Sequence, residues 1–260
     1  MDLELTGRTA LVTGASYGLG MSCAKVLSAE GAKVAIASRT AENLERASQS
    51  IAPDQSILTI PCDLSIEQEV ERLVPEVIKK LGSLEILVVS TGHPPTFPFS
   101  EATNEQWQRG LDLILWPAIT LARAALPEMK KRGYGRLIFI GSIFGLEPEK
   151  SSVIQSTLRT GLNSLAKCIA TENAAFGITA NVICPGYFET PLVEALAGQY
   201  AQSSCTSTEA VLEDWKQYSP MKKYGKPDDL GALAAFLASP RAEFITGTTV
   251  TIDGGAVRTW

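Results

Sequence analysis

Residues Thr9 to Arg39 read TALVTGASYGLGMSCAKVLSAEGAKVAIASR. An apolar run of strand length, Thr9 to Val12, leads into the three glycines Gly14, Gly18 and Gly20. A helix-length amphipathic run from Met21 to Glu30 follows, and a second apolar run, Lys33 to Ala37, closes the unit. Strand, glycine turn, helix and strand in that order predict a right-handed crossover between parallel strands. Glycines at such a turn permit a tight bend and a close backbone approach, so a pyrophosphate can rest on the free N–H groups of the positive helix end. Ser16, Tyr17 and Leu19 lie between the glycines and are expected in the same contact. A plain strand-to-helix turn would use glycines too, but their place in a βαβ unit that opens the chain favours a dinucleotide.

The second run ends in Ser38 and Arg39, where an NAD site would carry an acid for the ribose 2′-hydroxyl. No acid is there. A small Ser38 leaves room for a 2′-phosphate, and Arg39 can grip it through a planar, charge-assisted fork, which favours NADP(H) over NAD(H). A solvated surface arginine is the alternative reading of Arg39.

Further apolar runs follow at Ile57 to Ile60, Glu85 to Val89, Arg136 to Ile140, Thr179 to Ile183 and Thr248 to Ile252, with helix-length amphipathic segments between nearly all of them. Continuous apolar strands alternating with helices predict an α/β, Rossmann-type, doubly wound parallel sheet with helices on both faces. Capping-box spacings at Ser65 with Gln68 and at Thr103 with Gln106 mark helix starts, as does Pro227 beside Asp228 and Asp229. No repeat or linker divides the chain, so residues 1–260 read as one domain. Leu192 to Tyr218 is polar and irregular, a lid-like excursion at about 192–218.

The 260 residues are 45% apolar and 20% charged, with a formal charge of −5 and no basic run. That composition supports a sizeable core and excludes the electrostatic footprint of a nucleic-acid binder. Cys23, Cys62, Cys168, Cys184 and Cys205 are odd in number and widely spaced, unlike a disulfide framework or a metal site, and read as buried thiols of a reducing compartment. The N-terminus lacks a charged region followed by a long apolar stretch, and no later segment is expected to span a membrane, which places the protein in the cytoplasm.

Taken together the motifs resemble the short-chain dehydrogenase/reductase family in its compact form, which includes the 3-oxoacyl carrier-protein reductases. The likeness covers nearly the whole chain. The family's TGxxxGxG matches Thr13 to Gly20, its adenine-contacting aspartate matches Asp63 with Leu64 following, and its proline-glycine matches Pro185 and Gly186. Thr190 matches its threonine for the cofactor amide, and Asp253, Gly254 and Gly255 its C-terminal signature. The resemblance implies strand order 3-2-1-4-5-6-7, with the nicotinamide over the carboxyl ends of strands four to six and contacts from Ser90, Gly92 and Phe188. It also implies homodimers or homotetramers built on the helices near Gln106 to Lys131 and Ser152 to Phe176.

Family members act on a carbonyl or alcohol with a serine that orients the oxygen and a tyrosine that passes the proton. A lysine four residues on lowers the tyrosine pKa and holds the ribose. Aligned from Gly141, these positions are Ser142, Gln155 and Arg159; the family's helix asparagine falls on Ile114, and its NNAG loop reads Val89, Ser90, Thr91, Gly92. A carboxamide has no proton to exchange, so Gln155 cannot be the general acid. Arg159 can grip ribose hydroxyls and polarise, but does not deprotonate. Losing a positioned acid costs about 10² to 10⁴ in rate.

Two side chains offer substitutes. His93, the only histidine, lies just past Gly92, and Tyr187 directly follows Gly186. Each has a plainer reading, as a loop histidine beside two prolines and as cofactor packing. Pro117 should kink its helix and free the carbonyl of Leu113, which would anchor a water beside Ile114. The pocket would be formed by Leu146 to Ile154 and Leu192 to Tyr218, and neither segment carries a readable substrate code. Two functions stand open: an NADP(H)-dependent oxidoreductase of a small carbonyl or hydroxyl compound with an altered proton route, and a non-catalytic NADP(H)-binding sensor or structural subunit.

Overall fold

In the computed structural model, which describes residues 1–52 and 56–258, the apolar runs form one parallel sheet. Its strands are β1 Thr9–Thr13, β2 Lys33–Ser38, β3 Leu58–Pro61, β4 Ile86–Val89, β5 Gly135–Ile140, β6 Ile178–Pro185 and β7 Thr249–Ile252. They lie in the order β3-β2-β1-β4-β5-β6-β7, as the resemblance implies. Thr13 pairs with Ala37, Val12 with Val88, Val89 with Phe139 and Ile140 with Ile183, so the carboxyl ends of the central strands open onto one crevice.

The helices are α1 Gly18–Ala29, α2 Ala41–Ile51, α3 Glu67–Leu81, α4 Asn104–Gly110, α5 Trp116–Arg132, α6 Val153–Asn173, α7 Pro191–Ser203, α8 Thr208–Lys216 and α9 Pro227–Ala238. One core joins α3, α5 and α6 to the sheet through Leu73, Leu121, Leu162 and Phe139; a second joins α1, α2 and α9 to the other face through Leu27, Leu44, Leu230 and Ile36. Helices on both faces leave no side of the central strands to water. For that reason all five residues of β1 and all eight of β6 are buried and their sequences lack alternation.

Several local expectations change. Helix α1 begins at Gly18 rather than Met21, so its unpaired N–H groups belong to the glycine motif itself. The capping box holds at Thr103 and Gln106, with reciprocal bonds of 2.8 and 3.3 Å. At Ser65 it fails: α3 starts at Glu67, and Ser65 instead donates its N–H and hydroxyl to Asp63 Oδ1. A π-turn over Leu111–Leu115 takes up the extra residue, and Pro117 enters the first turn of α5, where a missing N–H costs little.

The combined helical run 104–132 is 29 residues long and, against expectation, apolar enough to cross a membrane by length and composition. One face of it packs into the core, with Ile114, Ala118, Leu121, Ala125 and Met129 wholly buried. Cys168 and Cys205 are exposed, so only three of the five thiols are buried. The excursion at 192–218 is a helical pair, not an irregular loop. Its polar residues cover the outside of a small core of Ala197, Ala201 and Val211, closed by Leu212 and Trp215.

Candidate active site

The crevice begins at the glycine turn. Gly14 has φ +58°, and a Cβ there would stand 2.6 Å from Ser90 O; one on Gly20 would stand 2.4 Å from Gly14 O. Thr13 Oγ1 donates to Ser90 O at 2.8 Å and accepts from Ser90 N at 3.1 Å, which locks the ends of β1 and β4 beneath the turn. Tyr17, the N-cap of α1, makes no side-chain cap, so the first N–H groups of α1 stay available for an anion. A Cβ on Gly18 would lie 3.5 Å from Thr190 Cγ2, placing Thr190 across the crevice from the turn.

At the end of β2 the hydroxyl of Ser38 is buried without a hydrogen-bond partner, and Arg39 beside it is exposed. Asp63 and Leu64 stand at the end of neighbouring β3, where Ser38 O accepts from Cys62 N at 2.8 Å. An uncapped helix end on a tightly packed glycine turn, with an orphaned hydroxyl beside an exposed guanidinium, fits a dinucleotide bearing a 2′-phosphate. The residues that could hold it are those the sequence singles out, with Pro185, Gly186 and Phe188 on the opposite wall.

Ser142 stands at the end of β5 and caps a 3-10 turn, Ile143–Gly145, accepting from Phe144 N at 3.2 Å. Its own hydroxyl hydrogen remains to be donated. The turn is tied to α6 through Gly145 O, which accepts from Thr160 Oγ1 at 2.9 Å and Asn163 Nδ2 at 3.2 Å. A Cβ on Gly145 would meet Arg159 at 3.0 Å. Close seating of this turn on α6 brings Ser142 and Arg159 into one neighbourhood beside Cys184, with Gln155 one turn earlier on the same helix.

Gln155 and Arg159 are buried, at 5% and 6% exposure. Arg159 does not simply take over a ribose-gripping role: Nη1 donates to Ile140 O at 2.5 Å and Nη2 to Gly92 O at 3.2 Å, clamping the ends of β5 and β4. Burial lowers its pKa to about 10, which leaves it cationic. Ile114 sits wholly buried in the apolar core. Cys184 on β6, expected from the sequence only as a buried thiol, lies against this group; burial pushes its thiol up to about 11, with the Ser142 N–H and Arg159 opposing.

Neither substitute acid has a suitable pKa. Burial, with the positive Arg159 second, lowers His93 to about 4, so at neutral pH it is an uncharged imidazole. Tyr187 is pushed well above the usual phenol value, first by burial, then by neighbouring Tyr218, Tyr224, Glu149 and Asp214. Tyr187 also has a packing role, stacking on Trp215 at 5.1 Å with Tyr218 edge-on at 5.8 Å. Trp215 and Tyr218 lie within the segment that the sequence marks as lid and pocket wall without singling them out; their signal was aromatic content near its end.

Of the eight buried side-chain polar atoms without partners among the described residues, five lie at the end of β2, just past β4 or on the N-terminal half of α6: Ser38 Oγ, Thr91 Oγ1, His93 Nε2, Gln155 Oε1 and Arg159 Nε. Unmet buried polar groups are costly, and their concentration at one crevice marks where a ligand would satisfy them.

A family model described as enoyl-(acyl carrier protein) reductase matches residues 14–257. The chain is 31% identical over 254 residues to oxidoreductase UcpA of Salmonella typhimurium, covering 97% of this chain and 95% of that one. To D-beta-hydroxybutyrate dehydrogenase of Rhizobium meliloti it is 33% identical over 254 residues, covering 95% and 98%. Among solved structures, L-sorbose reductase from Gluconobacter frateurii, complexed with NADPH and L-sorbose, superposes with a TM-score of 0.95 at 28% identity over 100% of both chains.

Proposed function

Because the chain belongs to the short-chain dehydrogenase/reductase family, we propose that it is an NADP(H)-dependent oxidoreductase of a small carbonyl or hydroxyl compound, with a proton route that bypasses a tyrosine. The carrying observation is the set of unpartnered polar atoms, Ser38 Oγ at the expected phosphate and the other four around the expected substrate. The NADPH held by L-sorbose reductase supports the same choice of cofactor.

The nicotinamide, when bound, supplies or takes up a hydride. The chain's own residues do the rest. The α1 N-terminus and the glycine turn bind the pyrophosphate, and Ser38 with Arg39 binds the 2′-phosphate. Ser142 donates its hydroxyl hydrogen to the carbonyl oxygen and orients it. Arg159, fixed by Ile140 and Gly92, holds positive charge where an oxyanion develops. Solvent delivers the proton, because Gln155 has none to give.

A second reading, a non-catalytic NADP(H)-binding subunit, draws on Gln155, Arg159 and Ile114 standing together at the family's tyrosine, lysine and asparagine positions. Fluorescence titration with NADPH and NADH, then turnover on a carbonyl panel, separates the two. Turnover by wild type that Ser142→Ala abolishes supports the enzyme; activity only in Gln155→Tyr with Arg159→Lys supports the binding subunit. The reading includes a cytoplasmic homodimer or homotetramer with contacts on α5, where Trp116 is 51% exposed.

A further inference from the structure

At the edge of the sheet opposite the crevice, a cleft of about 500 Å³ opens at the amino ends of β5 and β6, with Arg8, Arg136, Thr179 and Glu243 in its lining. Arg136 on β5 is paired in register with Thr179 on β6, so the two side chains leave the same face of the sheet. They are 2% and 4% exposed. Ile140, which opens onto the dinucleotide crevice, is at the other end of β5, about 13 Å away at the rise of an extended strand. Arg136 Nε donates to Ser239 O at 3.3 Å, and Nη1 donates to Gly135 O at 2.9 Å and Gly177 O at 3.0 Å. A guanidinium carries five N–H groups, and the pair on Nη2 meets no acceptor among the described residues. Thr179 Oγ1 is buried and likewise unpartnered.

Tyr134 gathers a second cation beside the first: Arg8 stands over its ring at 3.5 Å from the centroid and Arg136 at 4.0 Å. Burial and then the like charge of Arg8 lower the Arg136 pKa, with Tyr134 and Glu243 opposing. Of the two carboxylates in the lining, Glu4 is already paired to Arg241 at 2.6 Å, and Glu243 is exposed to solvent. Unmet donors fixed on two strands, with two guanidiniums on one ring, are the chemistry that holds an oxyanion through charge-assisted hydrogen bonds. We propose that this cleft binds a small oxyanion, the phosphate or carboxylate group of a small metabolite, between Arg136 Nη2, the Thr179 hydroxyl and the Arg8 guanidinium. The ligand supplies the acceptors that the strands lack and neutralises two like charges. A volume of about 500 Å³ leaves room for the remainder of a small molecule. The site shares no residue with the dinucleotide crevice, so it stands whether or not that reading holds.

The test is calorimetric titration of the full chain, at low salt, with inorganic phosphate and with acetate. Saturable binding of at least one is expected, and the tighter of the two names the group the ligand carries. Thr179→Val, which keeps the shape and removes the hydroxyl, should weaken binding about fivefold or more, as should Arg8→Gln. Arg8→Gln keeps the test open if the buried Thr179→Val variant fails to fold. Glu243→Gln removes a competing charge and should tighten binding about threefold. Arg39→Ala, at the other anion-binding end of the protein, should leave it unchanged. Absence of saturable binding by either ion, or an affinity that Thr179→Val and Arg8→Gln leave unaltered, overturns the proposal. A loss confined to Arg39→Ala also overturns it, because the ion would then sit in the dinucleotide crevice.

Discussion

The guanidinium of Arg159, on α6, donates to the carbonyl of Ile140, the last residue of β5, at 2.5 Å, and its other terminal nitrogen reaches Gly92 O beyond β4. One side chain thus joins two strand ends that are 67 and 19 residues away in sequence. A lysine has a single nitrogen and cannot span both in the same geometry.

Arg159→Lys is therefore expected to lower stability by about 1 to 3 kcal/mol, the cost of leaving a buried carbonyl unmet. In thermal melts that is a fall of about 3 to 10 °C for a chain of this size. An unchanged melting temperature would show that the clamp contributes nothing. The same cost falls on any variant that carries lysine at position 159.

Arg39 faces solvent beside the orphaned Ser38 hydroxyl. Replacing it by alanine removes a charge-assisted contact worth about 1.5 to 3 kcal/mol. NADPH affinity should fall roughly 10- to 100-fold while NADH affinity stays level. Parallel fluorescence titrations read both; an equal loss for the two cofactors would move the 2′-phosphate away from Arg39.

Gly20→Ala pits helix propensity against space. Alanine gains about 1 kcal/mol inside a helix. The new Cβ would stand 2.4 Å from Gly14 O, a backbone atom that cannot swing aside. Overpacking of this kind costs about 1 to 3 kcal/mol and distorts the turn. The variant should melt lower and lose NADPH binding; an alanine protein that melts higher and binds normally would refute the close approach.

His93 links stability to pH. Its folded pKa, about 4, lies below the ordinary value of 6.5, so the unfolded chain takes up the proton first. The neutral state's full stability is present above pH 6.5 and is lost as pH falls through 4. The loss is at most about 3 kcal/mol for such a shift. Urea unfolding of wild type and His93→Gln should show the wild type declining more steeply between those pH values, with the two slopes alike at pH 7 and above. Identical slopes throughout would mean that His93 is solvated.

Much of the fold was legible because its determinants are local. A strand buried on both faces must be apolar along its length, and a turn that approaches its neighbour within van der Waals range must be glycine. Thr9 to Arg39 therefore declares the first βαβ unit unaided. That Gln155 carries a carboxamide with no exchangeable proton is likewise a matter of residue identity.

Other features required the tertiary structure. The lid's polar sequence concealed helices, because α7 and α8 bury only a narrow stripe against each other and Trp215. The Ser65 capping box gave way to Asp63, a competitor two residues away that sequence spacing does not rank. What sequence by itself determined is where the first βαβ unit begins and that Gln155 has no proton to give, since both follow from covalent chemistry and short-range sterics. Only the tertiary structure decided that Arg159 is a clamp, that His93 is neutral and that Tyr187 stacks on Trp215. Partners, desolvation and charge at those side chains come from segments far apart in the chain, brought together by the packing of α6, the lid and the strand ends.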